Sequence, residues 1–150
     1  MGIIYKFLCE KCGYEFDAFL GMGGFSYWRD YEKIFDKALA GGYGEEIQKF
    51  LKENPDAVID ASNIFVKCRE CQYFEVVPNL TTYLPNDENF KPNEEYKFIS
   101  EYHHKCKNCG GEVEIFTFES FNPKNFVGKL KCPNCHEFFI EDELHGGIWD

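Results

Sequence analysis

The sequence predicts an α+β fold of small antiparallel sheets built around two four-thiolate metal sites. A helical pair is set between two of the cysteine motifs. Three observations carry this reading. The eight cysteines fall into four Cys-x-x-Cys pairs with none left over. Residues 26–53 repeat apolar side chains at helical spacing. The segments after the pairs are strand-like, as in Tyr73-Phe74-Glu75-Val76-Val77 and Phe138-Phe139-Ile140.

The pairs are Cys9/Cys12, Cys68/Cys71, Cys106/Cys109 and Cys132/Cys135. A tight turn across Cys-x-x-Cys, a knuckle, aims both thiolates at one point. Two knuckles complete a tetrahedron with Zn–S near ~2.3 Å. Gly13 after Cys12 and Gly110-Gly111 after Cys109 supply permissive backbone where such a turn needs it. A disulfide framework belongs to secreted chains, and Met1-Gly2-Ile3-Ile4-Tyr5-Lys6 lacks the basic-then-apolar order of a signal peptide. A redox pair of the thioredoxin kind sits at a helix N-terminus in a βαβ unit, whereas strand-like residues follow these pairs. The expectation is two zinc ions, with iron as the alternative metal.

Which knuckles share a metal depends on loop closure. Sequential pairing joins Cys9, Cys12, Cys68 and Cys71 across 55 residues, and Cys106, Cys109, Cys132 and Cys135 across 22. Nested pairing closes loops of 34 and 119 residues, and interleaved pairing loops of 93 and 60. Closure entropy grows logarithmically, so the sequential scheme is favoured over the nested one by only about 1 kcal/mol. The 22-residue spacer is close to that of a ribbon and holds a strand, Glu112 to Phe118, a turn over residues 121–125, and a second strand, Phe126 to Lys131. Sequential pairing is therefore expected.

Residues 102–140, ordered knuckle, strand, turn, strand, knuckle, strand, resemble a zinc ribbon. Residues 5–17, Tyr-Lys-Phe-Leu-Cys-Glu-Lys-Cys-Gly-Tyr-Glu-Phe-Asp, resemble the first knuckle of rubredoxin-like and zinc-ribbon folds. Lys131-Cys132-Pro133-Asn134-Cys135 resembles their second knuckle, with His136 where rubredoxins usually carry Gly. The whole chain looks like a bacterial protein with two zinc ribbons, a resemblance that brings no activity with it. A rubredoxin would bind one iron with the two outer knuckles, which implies the nested pairing.

The elements follow in order. The first ribbon, residues 1–84, is expected to be split by helices over about 26–53. Tyr27, Tyr31, Ile34, Phe35, Ala38 and Leu39 form one apolar stripe, and Gly41-Gly42 stops that helix. Ile47, Phe50 and Leu51 form a second stripe from about Glu45 to Glu53, ended by Asn54-Pro55. Residues 57–66 read as extended chain with a turn near 60–63, and residues 72–84 as a further strand. Residues 85–95 are polar, hold two prolines, and are the expected linker. Residues 96–150 are expected to form the second ribbon and an acidic tail. The glycine-rich Leu20-Gly21-Met22-Gly23-Gly24-Phe25 lacks the lysine of a phosphate loop and reads as a turn, with Ser26 as a cap.

The net charge of −10, and no run of 18 apolar residues, argue against a polyanion partner and a membrane span; a cytoplasmic protein is expected. Lys11, Lys67, Arg69, Lys105, Lys107, Lys129 and Lys131 flank the knuckles, where they would offset the −2 of each metal–tetrathiolate centre. Four thiolates leave no open coordination position, so no catalytic residue is expected and the chain is read as a non-enzyme. His103, His104 and His136 are expected outside the ligand set. Phe116, Phe118, Phe121 and Phe126 crowd one segment and call for a buried contact, within the chain or with a second copy. The function expected is a structural-zinc protein working as a protein-interaction module through an unknown partner or self-association. A nucleic-acid-binding ribbon and a rubredoxin-like electron carrier are the alternatives.

Overall fold

The computed structural model describes residues 2–23, 27–86, 96–126, 128–139 and 144–149. The fold is mixed α+β, with two helices and antiparallel sheets among the described residues. Strands β1 (Gly2–Leu8) and β2 (Glu15–Gly21) precede helices α1 (Tyr27–Leu39) and α2 (Glu45–Glu53). Then come β3 (Val58–Ile59), β4 (Asn63–Cys68), β5 (Phe74–Pro78), β6 (Thr82–Pro85), β7 (Tyr96–Ser100), β8 (Val113–Phe116), a 3-10 turn (Pro123–Phe126) and β9 (Leu144–Trp149).

The chain divides into two compact units, each assembled from separated segments. The first comprises Met1–Gly24, Asn63–Val77 and His104–Asp150, and the second Phe25–Ser62 and Pro78–His103. This is not the sequential division expected at residues 85–95. Residues 87–95 lie outside the described residues, but the strands on either side pair with each other. Thr82 faces Ser100, Tyr83 faces Phe98 and Pro85 faces Tyr96. That segment therefore joins neighbouring strands of one sheet. The crossings between units fall instead at Gly24/Phe25, at Ser62/Asn63, at Val77/Pro78 and at His103/His104.

In the second unit the helices end where the glycines and Asn54 require. Gly41 has φ +86°, which favours glycine, and Asn54 donates both its backbone N–H and its side-chain amide to the Phe50 carbonyl. Their buried stripe, Ala38, Ile47 and Leu51, packs with Ala57, Ile59 and Leu80. The Tyr31 hydroxyl accepts from the Ile59 N–H at 3.3 Å, and the Tyr102 hydroxyl donates to the Tyr43 carbonyl at 2.8 Å. The small sheet β3-β6-β7 completes this unit. The single strand expected over 72–84 is broken at Asn79-Leu80, where Leu80 adopts φ +66° with its side chain fully buried.

In the first unit one sheet runs β5-β4-β2-β1-β9, with β8 also paired to β4. Alternation along β1 and β2 turns Phe7, Ala18 and Leu20 inward. They join Phe65, Phe74, Phe121, Phe126, Leu130 and Phe139 in a core rich in phenylalanine. Phe7 and Phe65 stack on each other at 6.3 Å, and further rings meet them edge-on, as with Phe7–Phe139 at 5.7 Å and Phe65–Phe121 at 5.0 Å. Phe116 and Phe118 pack against this cluster, so the crowded aromatics are covered within the unit. Among the described residues of 126–131 the expected strand does not form. The 3-10 turn and Leu130 send that segment inward, and only Lys131↔Phe138 bridges. The tail returns as β9 alongside β1, with Leu144 opposite Phe7 and Trp149 opposite Gly2.

Phe7 is fully buried and Phe98, on β7, is 53% exposed. Phe7→Ala is expected to cost roughly 3–5 kcal/mol in chemical denaturation of the metal-loaded chain, and Phe98→Ala under about 1 kcal/mol. Equal losses would contradict this placement of the core.

Candidate metal centres

Each knuckle is built by the same local hydrogen bonds. The N–H of the first cysteine donates to the carbonyl five residues on: Cys9 to Tyr14, Cys68 to Tyr73, Cys106 to Gly111, Cys132 to Glu137, at 2.7–2.9 Å. The residue after the second cysteine turns left-handed in all four: Gly13 (φ +77°), Gln72 (φ +67°), Gly110 (φ +74°) and His136 (φ +63°). Glycine takes that conformation without cost, whereas a side chain pays of order 1–2 kcal/mol. Gln72 and His136 hold it because the turn around them is fixed at both ends. In each knuckle the first cysteine is buried; Cys12, Cys71 and Cys109 are exposed and Cys135 half-buried.

The structure gathers the sulfurs into two groups, Cys9, Cys12, Cys132 and Cys135, and Cys68, Cys71, Cys106 and Cys109. Within each group all Sγ atoms lie within 4.8 Å of one another. This is the nested pairing, and it corrects the expected grouping of Cys9 and Cys12 with Cys68 and Cys71, and of Cys106 and Cys109 with Cys132 and Cys135. The ribbon expected between the first two knuckles, with helices inserted, is therefore not formed.

Strand register explains the outcome. β4 runs antiparallel to β8, Cys68 faces Val113, and the Arg69 N–H donates to Glu112 at 3.0 Å. The Lys105↔Glu112 bridge then places the third knuckle beside the second. At the other end, β9 lies along β1, and the Phe139 ring packs on Phe7 two residues before Cys9. The fourth knuckle is thereby delivered to the first. Against these contacts the entropic preference of about 1 kcal/mol has no weight.

The geometry fits a metal. Four sulfurs ~2.3 Å from a shared centre stand about 3.8 Å apart. The cross-knuckle pairs Cys9–Cys135, Cys12–Cys132, Cys68–Cys109 and Cys71–Cys106 are each 3.5 Å apart. Disulfide sulfurs would be ~2.05 Å apart, and all eight cysteines are free. Both groups are thus compatible with structural metal binding by zinc-ribbon-like knuckles. Among the described residues no histidine joins either group. His103 and His136 are exposed and His104 is buried.

The thiols are strongly differentiated. The Asn134 side-chain amide, helped by the Tyr14 backbone, holds the Cys12 thiol down to about 6. Asn108 does the same for Cys71, with the Tyr73 backbone, again to about 6. For Cys109 the Gly111 backbone favours the thiolate, but the sulfurs of Cys68 and Cys71, with desolvation and Cys106, push it up to about 12. Cys135 is likewise about 12: the Glu137 backbone is outweighed by desolvation and the sulfurs of Cys9, Cys12 and Cys132. These two asparagines were not singled out from the sequence. Their shared place before the second cysteine of knuckles three and four was the signal available.

Comparison with protein-family models, with curated proteins and with solved structures found no match in any of the three.

Zinc uptake at pH 7 is expected to release protons, since Cys109 and Cys135 keep theirs to about 12 while Cys12 and Cys71 have lost theirs above about 6. Affinity should fall further as pH drops through 6, where protons begin to compete for Cys12 and Cys71 as well. Titration calorimetry in two buffers of different ionisation enthalpy reads the proton count. A binding heat independent of buffer would contradict it.

Proposed function

We propose that the chain is a non-catalytic protein in which two zinc ions, each held by four thiolates, stabilise a small unit that serves protein interaction. The observation that carries this reading is the convergence of all eight cysteines into two tetrahedral-sized groups, with none spare for chemistry. A closed tetrathiolate site offers no position for a substrate or an activated water. The interaction role is supported by large apolar side chains left in solvent on the first unit, Ile148 at 76% and Ile115 and Phe138 near half. Aromatic and aliphatic side chains of this kind are enriched in interface cores.

A rubredoxin-like electron carrier is the second reading. One specific observation favours it: the outer knuckles, Cys9/Cys12 and Cys132/Cys135, do share a site, the pairing that resemblance implies. Exposure of Cys12, Cys71 and Cys109 would let an electron reach either centre from solvent. Nucleic-acid binding is opposed by charge. The lysines at 11, 105, 107, 129 and 131 are exposed, but a chain of −10 becomes about −14 once two tetrathiolate centres form. No described helix is long and apolar enough to cross a membrane.

Elemental analysis of protein purified without chelator is expected to give two zinc ions per chain. Chelation is expected to unfold the first unit, because a structural zinc contributes about 10–16 kcal/mol, as much as a whole domain's stability. Iron absorbance in the purified protein would transfer the reading to electron transfer. Salt-dependent submicromolar affinity for duplex DNA would transfer it to nucleic-acid binding; none is expected.

A further inference from the structure

The two sulfur groups are built to one plan, and the plan is asymmetric. In each group an early knuckle (Cys9/Cys12 or Cys68/Cys71) meets a late one (Cys132/Cys135 or Cys106/Cys109). The late knuckles carry asparagine just before their second cysteine: Asn108 and Asn134. Asn108 Nδ2 donates across the site to Cys71 Sγ at 3.6 Å. Asn134 holds the equivalent place in the fourth knuckle, which meets the Cys12 knuckle through the same cross-site sulfur pairing, Cys12 to Cys132 at 3.5 Å. The early knuckles carry no amide there. The corresponding residues are Lys11, whose Nζ lies 3.1 Å from Glu137, and Glu70.

Glu70 faces the opposite corner of its site. A Cβ built on Gly111 would meet Glu70 Oε2 at 2.6 Å and Cys109 Sγ at 3.2 Å. The carboxylate and the sulfur therefore converge over one glycine, which has no side chain to hold them apart. A carboxylate has no proton to donate and adds negative charge beside a thiolate. Among the described residues, Cys71 accepts a side-chain amide and Cys109 does not, and the place of Asn134 repeats the plan for Cys12 and Cys135. An N–H···S bond to an ionised sulfur is charge-assisted; it withdraws electron density and makes the sulfur a poorer nucleophile.

We propose that Asn108 and Asn134 are positioning residues that clasp the outer sulfurs Cys71 and Cys12 across each metal centre, leaving Cys109 and Cys135 as the sulfurs through which each centre is attacked. Alkylation and metal exchange then begin at the late knuckle, at Cys109 first because Glu70 stands beside it and Cys109 is exposed where Cys135 is half-buried. The proposal rests on the reading that both groups hold metal. Backbone N–H groups donate to the sulfurs too, as from Glu70 and Cys71 to Cys68, but those bonds belong to the knuckle turn itself. The Asn108 amide instead reaches from one knuckle to the other knuckle's sulfur.

The test is limited alkylation of the full-length zinc-loaded chain with iodoacetamide, read by peptide mass spectrometry. Cys109 and then Cys135 should be modified ahead of Cys71 and Cys12. Asn108→Ala should raise the Cys71 rate about threefold or more and leave Cys12 unchanged, and Asn134→Ala should do the reverse. Cobalt-substituted protein gives a readout that a merely structural role would not move: the sulfur-to-cobalt charge-transfer band should shift in Asn108→Ala at unchanged cobalt content. Cys71 reacting first in the parent chain, or an unshifted band and an unchanged Cys71 rate in Asn108→Ala, would overturn the proposal. Zinc content is measured on the same samples. A parent chain with no bound metal would defeat the metal reading itself, a failure distinct from loss of the clasp. If Asn108→Ala loses metal, Asn108→Gln, which keeps the amide, must restore both the content and the slow Cys71 rate; failure of that rescue would also overturn it.

Discussion

Two groups of four cysteine sulfurs, each closed between knuckles distant in the chain, are the constraint on which the first unit depends. The outer set ties the first strand hairpin to the end of the chain, and the inner set ties the middle hairpin to residues 106–109. Sulfurs 3.5 Å apart across each join leave no room for independent movement of the two knuckles. Phe7, two residues before Cys9, and Phe65, three before Cys68, then lie in one core. The sulfur groups and the phenylalanine cluster are two ends of the same strands, so each positions the other.

Magnitudes show why the nested arrangement prevails. Loop closure prefers the sequential scheme by about 1 kcal/mol. Burying a phenylalanine contributes roughly 1.5–3 kcal/mol, and Phe7, Phe65, Phe74, Phe121, Phe126 and Phe139 are all buried in this core. A sequential pairing would separate β4 from β8 and β1 from β9, and with them much of that burial. The chain leaves the first unit twice, and the described residues of 25–62 and 78–103 fold together as the second, around Ala38, Leu51, Ile59 and Leu80.

The sequence disclosed the ligands and the helices because both signals are local. Cys-x-x-Cys spacing is a property of one turn, and the stripe through Ile34, Phe35 and Ala38 of one helix. It did not disclose partners, because pairing is decided by strand register. Nothing in β4 (Asn63–Cys68) or β8 (Val113–Phe116) alone announces that Cys68 faces Val113. The same holds for the expected linker at 85–95, whose prolines and polar residues read as a boundary. A long connection between two paired strands, β6 and β7, can carry the same composition as a linker between domains. Gln72 and His136 concealed two of the left-handed turns that Gly13 and Gly110 advertise.

The nested pairing is the claim from which core, units and site asymmetry follow, and metal stoichiometry of paired variants tests it most directly. Cys9→Ser with Cys132→Ser damages one site twice, whereas Cys9→Ser with Cys68→Ser damages both. The first double variant is predicted to retain one zinc ion per chain and the second to retain none. The reverse result, one zinc retained by the Cys9/Cys68 variant and none by the Cys9/Cys132 variant, would contradict the account.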